Sequence, residues 1–240
     1  MSTDRFRDFS NGSIAKRLGV PRIPVLRRYA PGQPLLDGPA LVAGAGRFAK
    51  AVSALLAEEN VPVVEAAEAE PAGPTVGRGE ERLAAVVVDL TGATTLDDLA
   101  AAREILQSAV RKLAPSGRVL LLGPDASQAA SRAGSASAGV EAAAVAQALD
   151  GLVRTIAKEL RAGATANLLV VDADAVPAAV DSSVRFFLSA RSAYVDGQVV
   201  HIGVPVGAPQ DPPAVDSPTE RRLEGRIAVV TGAARGSAPP

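Results

Sequence analysis

The hydrophobic positions of this chain fall in short, unbroken runs separated by longer stretches of helical spacing. Runs rich in Val, Leu and Ala occur at Ala40–Ala43, Val61–Val64, Ala85–Asp89, Arg118–Leu122, Leu168–Asp172 and Gln198–Ile202. Apolar runs with little alternation suit strands covered on both faces, as in a parallel sheet. Between them lie Ala-rich stretches of helical period at Arg47–Glu59, Leu96–Leu113, Val140–Arg161 and Ala178–Arg191. In the second of these, Leu96, Leu99, Arg103, Leu106, Val110 and Leu113 keep a spacing of three and four, and Pro115 is the expected stop. The alternation predicts a doubly wound, mostly parallel α/β domain over about 38–203. Glu65–Arg82 and the Ser/Ala/Gly-rich Pro124–Gly139 read as loops. A basic, proline-dotted arm precedes the domain, with a short helix expected near Ser13–Leu18. Gly203–Pro218, carrying Pro205, Pro209, Pro212, Pro213 and Pro218, reads as a linker.

Composition narrows the chemistry. Aromatic residues make up 3% of the 240, so the core is built from Ala, Val and Leu, which permits close helix-on-sheet packing. With no cysteine and one histidine (His201), disulfides, thiolate sites, a cysteine nucleophile and a multi-histidine zinc site are excluded. Lys and Arg total 25 against 26 Asp and Glu, so the net charge of -1 gives no electrostatic basis for nucleic-acid binding. No apolar run approaches the roughly 20 residues of a membrane span, and Met1–Ser13 is polar, with no signal-peptide core. A cytoplasmic protein is expected.

The end of the chain carries a motif. Leu223-Glu-Gly-Arg-Ile-Ala-Val-Val-Thr-Gly-Ala-Ala-Arg-Gly236 is an apolar strand running into a glycine turn. It resembles the opening of a short-chain dehydrogenase/reductase, T-G-x-x-x-G-x-G, with Thr231, Gly232 and Gly236 in register and Ala238 at the last glycine. Leu41-Val-Ala-Gly-Ala-Gly-Arg47 lines up with Val229–Arg235 one domain length earlier. Further along, Gly151-Leu-Val-Arg-Thr-Ile-Ala-Lys-Glu-Leu160 is similar to the family's G-L-T-x-x-x-A-x-E-L helix. Ser183–Val199 is similar to its late F-L-x-S-x-x-A-x-Y-x-x-G-Q-V. With the Arg-Arg-Tyr-x-Pro-Gly-x-Pro-Leu-Leu of the arm, the chain resembles the N-terminal part of the high-molecular-weight 3-oxoacyl-[acyl-carrier-protein] reductases. These join a degenerate first domain to a working one.

The resemblance implies a Rossmann-like or flavodoxin-like fold, laid out as an arm (1–37), a degenerate reductase domain (38–203), a Pro-rich linker (204–222) and the opening strand of a second reductase domain (223–240). It implies NAD(P)H as the cofactor of the intact protein, in fatty-acid synthesis. It also implies a serine that polarises the ketone, a tyrosine that donates a proton and a lysine that lowers the tyrosine's pKa. Here those positions fall on Pro124, Ala142 and Ala146, none of which can hold or move a proton. The family's asparagine turn is replaced by Asp89-Leu-Thr-Gly92. Tyr29, in the arm, and Tyr194, near the sheet end, are not plausible substitutes.

Nucleotide binding is a separate question. Gly44-x-Gly46-x-x-Ala49 fits the general G-x-G-x-x-G/A pattern, and Glu65 stands about 20 residues on, where an acid would hold a ribose hydroxyl. Gly44, Gly46 and Glu65, with Gly232 and Gly236 of the second motif, are therefore the candidate cofactor-binding residues. Against this, Phe48 and Lys50 occupy family glycine positions, and the phenylalanine is expected to crowd a pyrophosphate. Lys50 reads as a helix-surface lysine and His201 as a strand residue with a satisfied hydrogen bond. Asp97 and Asp98 read as capping and dipole partners of a helix start. The expected function is a catalytically empty docking domain that binds no cofactor itself and packs on a reductase domain or self-associates. Acyl carrier protein or acyl-CoA would be partners of the intact protein. A stand-alone dinucleotide- or acyl-carrier-binding module is the alternative. For self-association, the expected face is the Val140–Arg161 helix, through Val145, Leu149, Leu152 and Ile156.

Overall fold

The computed structural model describes residues 17–18, 26–65, 82–204 and 227. The apolar runs become six parallel strands: β1 (Ala40–Ala43), β2 (Val63–Glu65), β3 (Leu83–Asp89), β4 (Leu113–Pro124), β5 (Thr165–Val171) and β6 (Val199–Ile202), in the order β2-β1-β3-β4-β5-β6. Every residue of β1 and β3 is buried. The reason is a core on each side of the sheet. Ala40, Val42, Ala85, Val87, Leu120, Leu122, Leu169 and Val171 pack on one face. Leu41, Val86, Val88, Val119, Leu121, Ala166 and Leu168 pack on the other. Period-two alternation is hidden in the sequence because both faces need apolar side chains.

Helices α1 (Ala49–Glu58) and α5 (Asp181–Leu188) cover the first face through Val52, Leu55, Leu56, Val184, Phe187 and Leu188. Leu35 and Leu36, from the end of the arm, join this core. Helices α2 (Leu96–Val110) and α4 (Ala136–Glu159) cover the second face through Ala102, Leu106, Ala109, Val145, Leu149 and Val153. The chain is thus doubly wound, with its sequence order reversing between β1 and β3. In such sheets ligands bind outside the carboxyl ends of the strands at that point.

Several local expectations are corrected. The helix read as reaching Leu113 ends at Val110; Leu113 opens β4 and pairs with Leu83. Pro115 lies inside that strand, where the ladder is interrupted and resumes at Ala85 and Arg118, with Ser116 at φ 58°. Apolar spacing cannot separate the last buried residue of a helix from the first of the next strand. The expected loop 124–139 holds helix α3 (Ala126–Arg132), capped by Asp125, and α4 starts at Ala136 behind the Ser135 cap. No residue of α3 is buried, so no apolar stripe marks it. The last helical stretch is broken into short turns at Pro177–Val180 and Ala190–Ser192 around α5. The stripe expected on α4 faces inward: Val145 and Leu149 are fully buried against the sheet, while Val140, Ala144, Ala148 and Gly151 face out. Most of the short helix expected near Ser13–Leu18, the loop 66–81, and all of 205–240 except Ile227 lie outside the described residues. No described helix is long and apolar enough to cross a membrane.

Candidate functional site

Two turns meet at the switch point, and their backbone geometry depends on two glycines. Gly44, directly after β1, has φ 98°, and a Cβ there would stand 2.2 Å from the Asp89 carbonyl oxygen. A Cβ on Gly46 would stand 2.0 Å from Asp89 Oδ1. The β1–α1 turn is therefore wrapped around the end of β3 at a distance only glycine permits.

The Asp89 side chain fills the inside of that turn. It is 1% exposed. Its Oδ2 accepts from the N–H groups of Phe48 (2.6 Å) and Ala49 (2.8 Å) at the start of α1. Its Oδ1 accepts from the Thr91 N–H (3.1 Å) and hydroxyl (2.8 Å). The Gly46 N–H donates to the Asp89 carbonyl at 3.3 Å, and the Arg47 N–H donates to Thr91 Oγ1 at 3.3 Å. Four consecutive N–H groups, from Gly46 to Ala49, are thus all taken up by Asp89 and Thr91. An open helix N-terminus binds anions because such donors are free and the dipole is positive. This one is already neutralised by a carboxylate of the same chain.

Sequence reasoning placed the obstacle at Phe48, and the structure moves it. Phe48 is fully buried and belongs to the core on the first face of the sheet. The Arg47 guanidinium lies 4.6 Å over that ring, and its Nη2 donates to the Asp172 carbonyl at 2.5 Å, reaching over to the end of β5. Lys50 is exposed on α1, as expected. Glu65 is the last residue of β2, paired with Val42; its side chain, and Gly232 and Gly236, lie outside the described part. Asp89, Thr91 and Arg47 were missed as site residues. The legible signal was an aspartate ending an apolar strand two residues before a threonine.

Beside the closed turn, an open cleft of about 310 Å³ lies at the carboxyl ends of β3 and β4. Thr91, Thr94, Thr95, Pro124, Asp125, Gln128, Arg132 and Ala142 are among its walls. The structure thus brings Pro124 and Ala142 to one cleft; Ala142 and Ala146, one turn further along α4, are both buried. Gln128 fixes the far wall: its amide donates to Asp172 Oδ2 at 2.8 Å and accepts from the Ala173 N–H at 2.6 Å. The Asp174 N–H and the Gln128 amide hold the Asp172 carboxyl below the usual carboxylate range. The Ser127 hydroxyl and the N–H groups of Gln128 and Ser127 do the same for Asp125, the cap of α3. His201 is exposed on β6, with Nδ1 4.0 Å from Asp125 Oδ2, beyond hydrogen-bond distance. Asp98 closes a capping box with Thr95 at the start of α2, and bonds from Thr94 and Thr95 lower its pKa. Asp97 lies in the same first turn. Tyr194 is exposed, and Tyr29 stacks under Arg191 at 3.9 Å. Among the described residues no group of three or more His, Asp or Glu could hold a metal.

Fold and site together define a doubly wound, Rossmann-like α/β domain whose β1–α1 turn is filled from within. No family model matches the chain, and no curated protein matches it. Solved structures do. A short-chain dehydrogenase/reductase from Serratia marcescens is 20% identical, over 71% of this chain and 97% of that one, with a TM-score of 0.55. The aldohexose dehydrogenase of Thermoplasma acidophilum is 14% identical over 73% and 98%, with a TM-score of 0.52. A blue fluorescent protein from a metagenomic library, solved in complex with NADPH, is 22% identical over 71% and 98%, with a TM-score of 0.52. At these identities the likeness is one of fold. In this chain the N–H groups at the start of α1, which would hold a dinucleotide's phosphates, are already taken by Asp89.

Proposed function

We propose that this chain is a catalytically empty domain of the short-chain reductase type, from a 3-oxoacyl-[acyl-carrier-protein] reductase of fatty-acid synthesis. Its role is to dock on a working reductase domain or on its own copies. The observation that carries this reading is the cleft lined by Pro124 and Ala142, with Ala146 buried behind it. A ketone in that cleft would meet no hydroxyl positioned for proton transfer from those three positions, and a reductase needs one. The outward residues of α4, Val140 at 73% exposure together with Ala144, Ala148 and Gly151, support a packing role for that helix. Acetoacetyl thioester with NADPH or NADH should give no turnover above buffer, and turnover surviving purification to homogeneity would overturn the reading. Light scattering over a concentration series should show self-association; a constant monomer mass at high concentration would argue against docking through copies.

The open cleft favours one part of the alternative. An acyl-carrier-binding module would use a cavity lined by alanines and threonines, whereas a dinucleotide-binding module would need the donors that Asp89 occupies. Titration of the purified chain with acyl carrier protein and with NADPH separates the two.

A further inference from the structure

We propose that Asp89 is a resident anion, standing where the phosphates of a dinucleotide would sit and holding the β1–α1 turn in its ligand-bound shape without any ligand. The inference concerns the turn alone and does not depend on whether the domain docks. A phosphate at such a turn is held by consecutive backbone N–H groups at a helix start, approached closely because the turn residues are glycines. Both parts are present. The glycines at 44 and 46 leave a space that a single Cβ would fill, and what fills it is the Asp89 carboxylate and its backbone. The donors at Phe48 and Ala49 converge on one carboxylate oxygen, and Thr91 holds the other. The charge is sealed at 1% exposure, so an entering diphosphate would have to displace a buried carboxylate or sit beside it against like-charge repulsion. Arg47 adds a second closure by bonding the end of β5 across the crevice. The chain thus keeps the geometry of an anion seat while supplying the anion itself.

Thermal unfolding of the full chain tests this, using the wild type, Asp89→Ala and Asp89→Asn, each in sodium formate, inorganic pyrophosphate or NADPH, with sodium chloride of matched ionic strength as the control. The wild-type midpoint should move no more in any of them than in chloride. Asp89→Ala should lose roughly 6–10 °C and regain part of that loss in formate, which places a carboxylate in the vacated space. Asp89→Asn should be less stable than wild type and should gain nothing from formate, because its amide leaves no room. The proposal is overturned if pyrophosphate or NADPH stabilises the wild type beyond chloride. It is equally overturned if Asp89→Asn matches the wild type, or if a folded Asp89→Ala is indifferent to formate. Should Asp89→Ala not fold, the wild-type and Asp89→Asn arms decide alone.

Discussion

The two halves of the sheet's carboxyl edge are built in opposite ways. At the β1–α1 turn the backbone keeps the form of a phosphate seat, and the chain has filled it with its own carboxylate. At the ends of β3 and β4 an open cavity of about 310 Å³ remains, with Pro124 and Ala142 among its walls. The first region is crowded, the second roomy. The filled turn is ordered because its buried donors must be satisfied.

The sharpest way to break this comparison is to add one heavy atom to a side chain in each half. Gly46→Ala should cost about 3 kcal/mol, since its Cβ would meet Asp89 Oδ1 at 2.0 Å and the carboxylate is buried and bonded on both oxygens. Ala142→Ser, buried but against the open cleft, should cost only about 1 kcal/mol. Urea unfolding measures both; equal losses would erase the distinction between the filled and the empty half.

A smaller effect probes how the filled half is held. Thr91→Val keeps the shape but removes the hydroxyl that donates to Asp89 Oδ1 and accepts from the Arg47 N–H. A loss of about 1–2 kcal/mol is expected. An unchanged unfolding midpoint would mean that the carboxylate is secured by the helix start alone.

The smallest effect is on pH dependence at the rim of the open half. Asp125 and Asp98 both have pKa values lowered in the folded chain. A lowered carboxylate pKa contributes stability that is present above the unfolded value, about 3.9, and is lost as pH falls through the folded value. Stability should therefore decline on acidification below about pH 4, and Asp125→Asn should make that decline shallower. Unfolding midpoints between neutral and acid pH check it, and an unaltered slope in the variant would remove Asp125 from the account.

Much of the architecture was legible because both faces of the sheet are buried. Unbroken apolar runs located every strand, and the start of α2 was marked by the acidic residues of its first turn. Helix α3 was not legible, since an element that buries nothing carries no apolar stripe and only its Asp125 cap betrays it. The end of α2 was misread because Leu113 serves a strand with the same kind of side chain a helix would use. Pro124, Ala142 and Ala146 were singled out through the family resemblance. That Pro124 and Ala142 border one cleft could not be read from the sequence, since they come from β4 and α4 and meet only across the edge of the sheet.

The sequence by itself determined the layered α/β class and the absence of proton carriers at 124, 142 and 146, because both depend on residue type and spacing along the chain. Only the tertiary structure decided the state of the phosphate turn. Phe48 and Asp89 are 41 residues apart, and nothing local to either says that one donates to the other. Parallel pairing of β1 with β3 brings their carboxyl ends side by side, and at that distance the aspartate of one strand reaches the helix start that follows the other. The burial of Phe48 follows from the same pairing: once the carboxylate holds its N–H, its ring is left to the core.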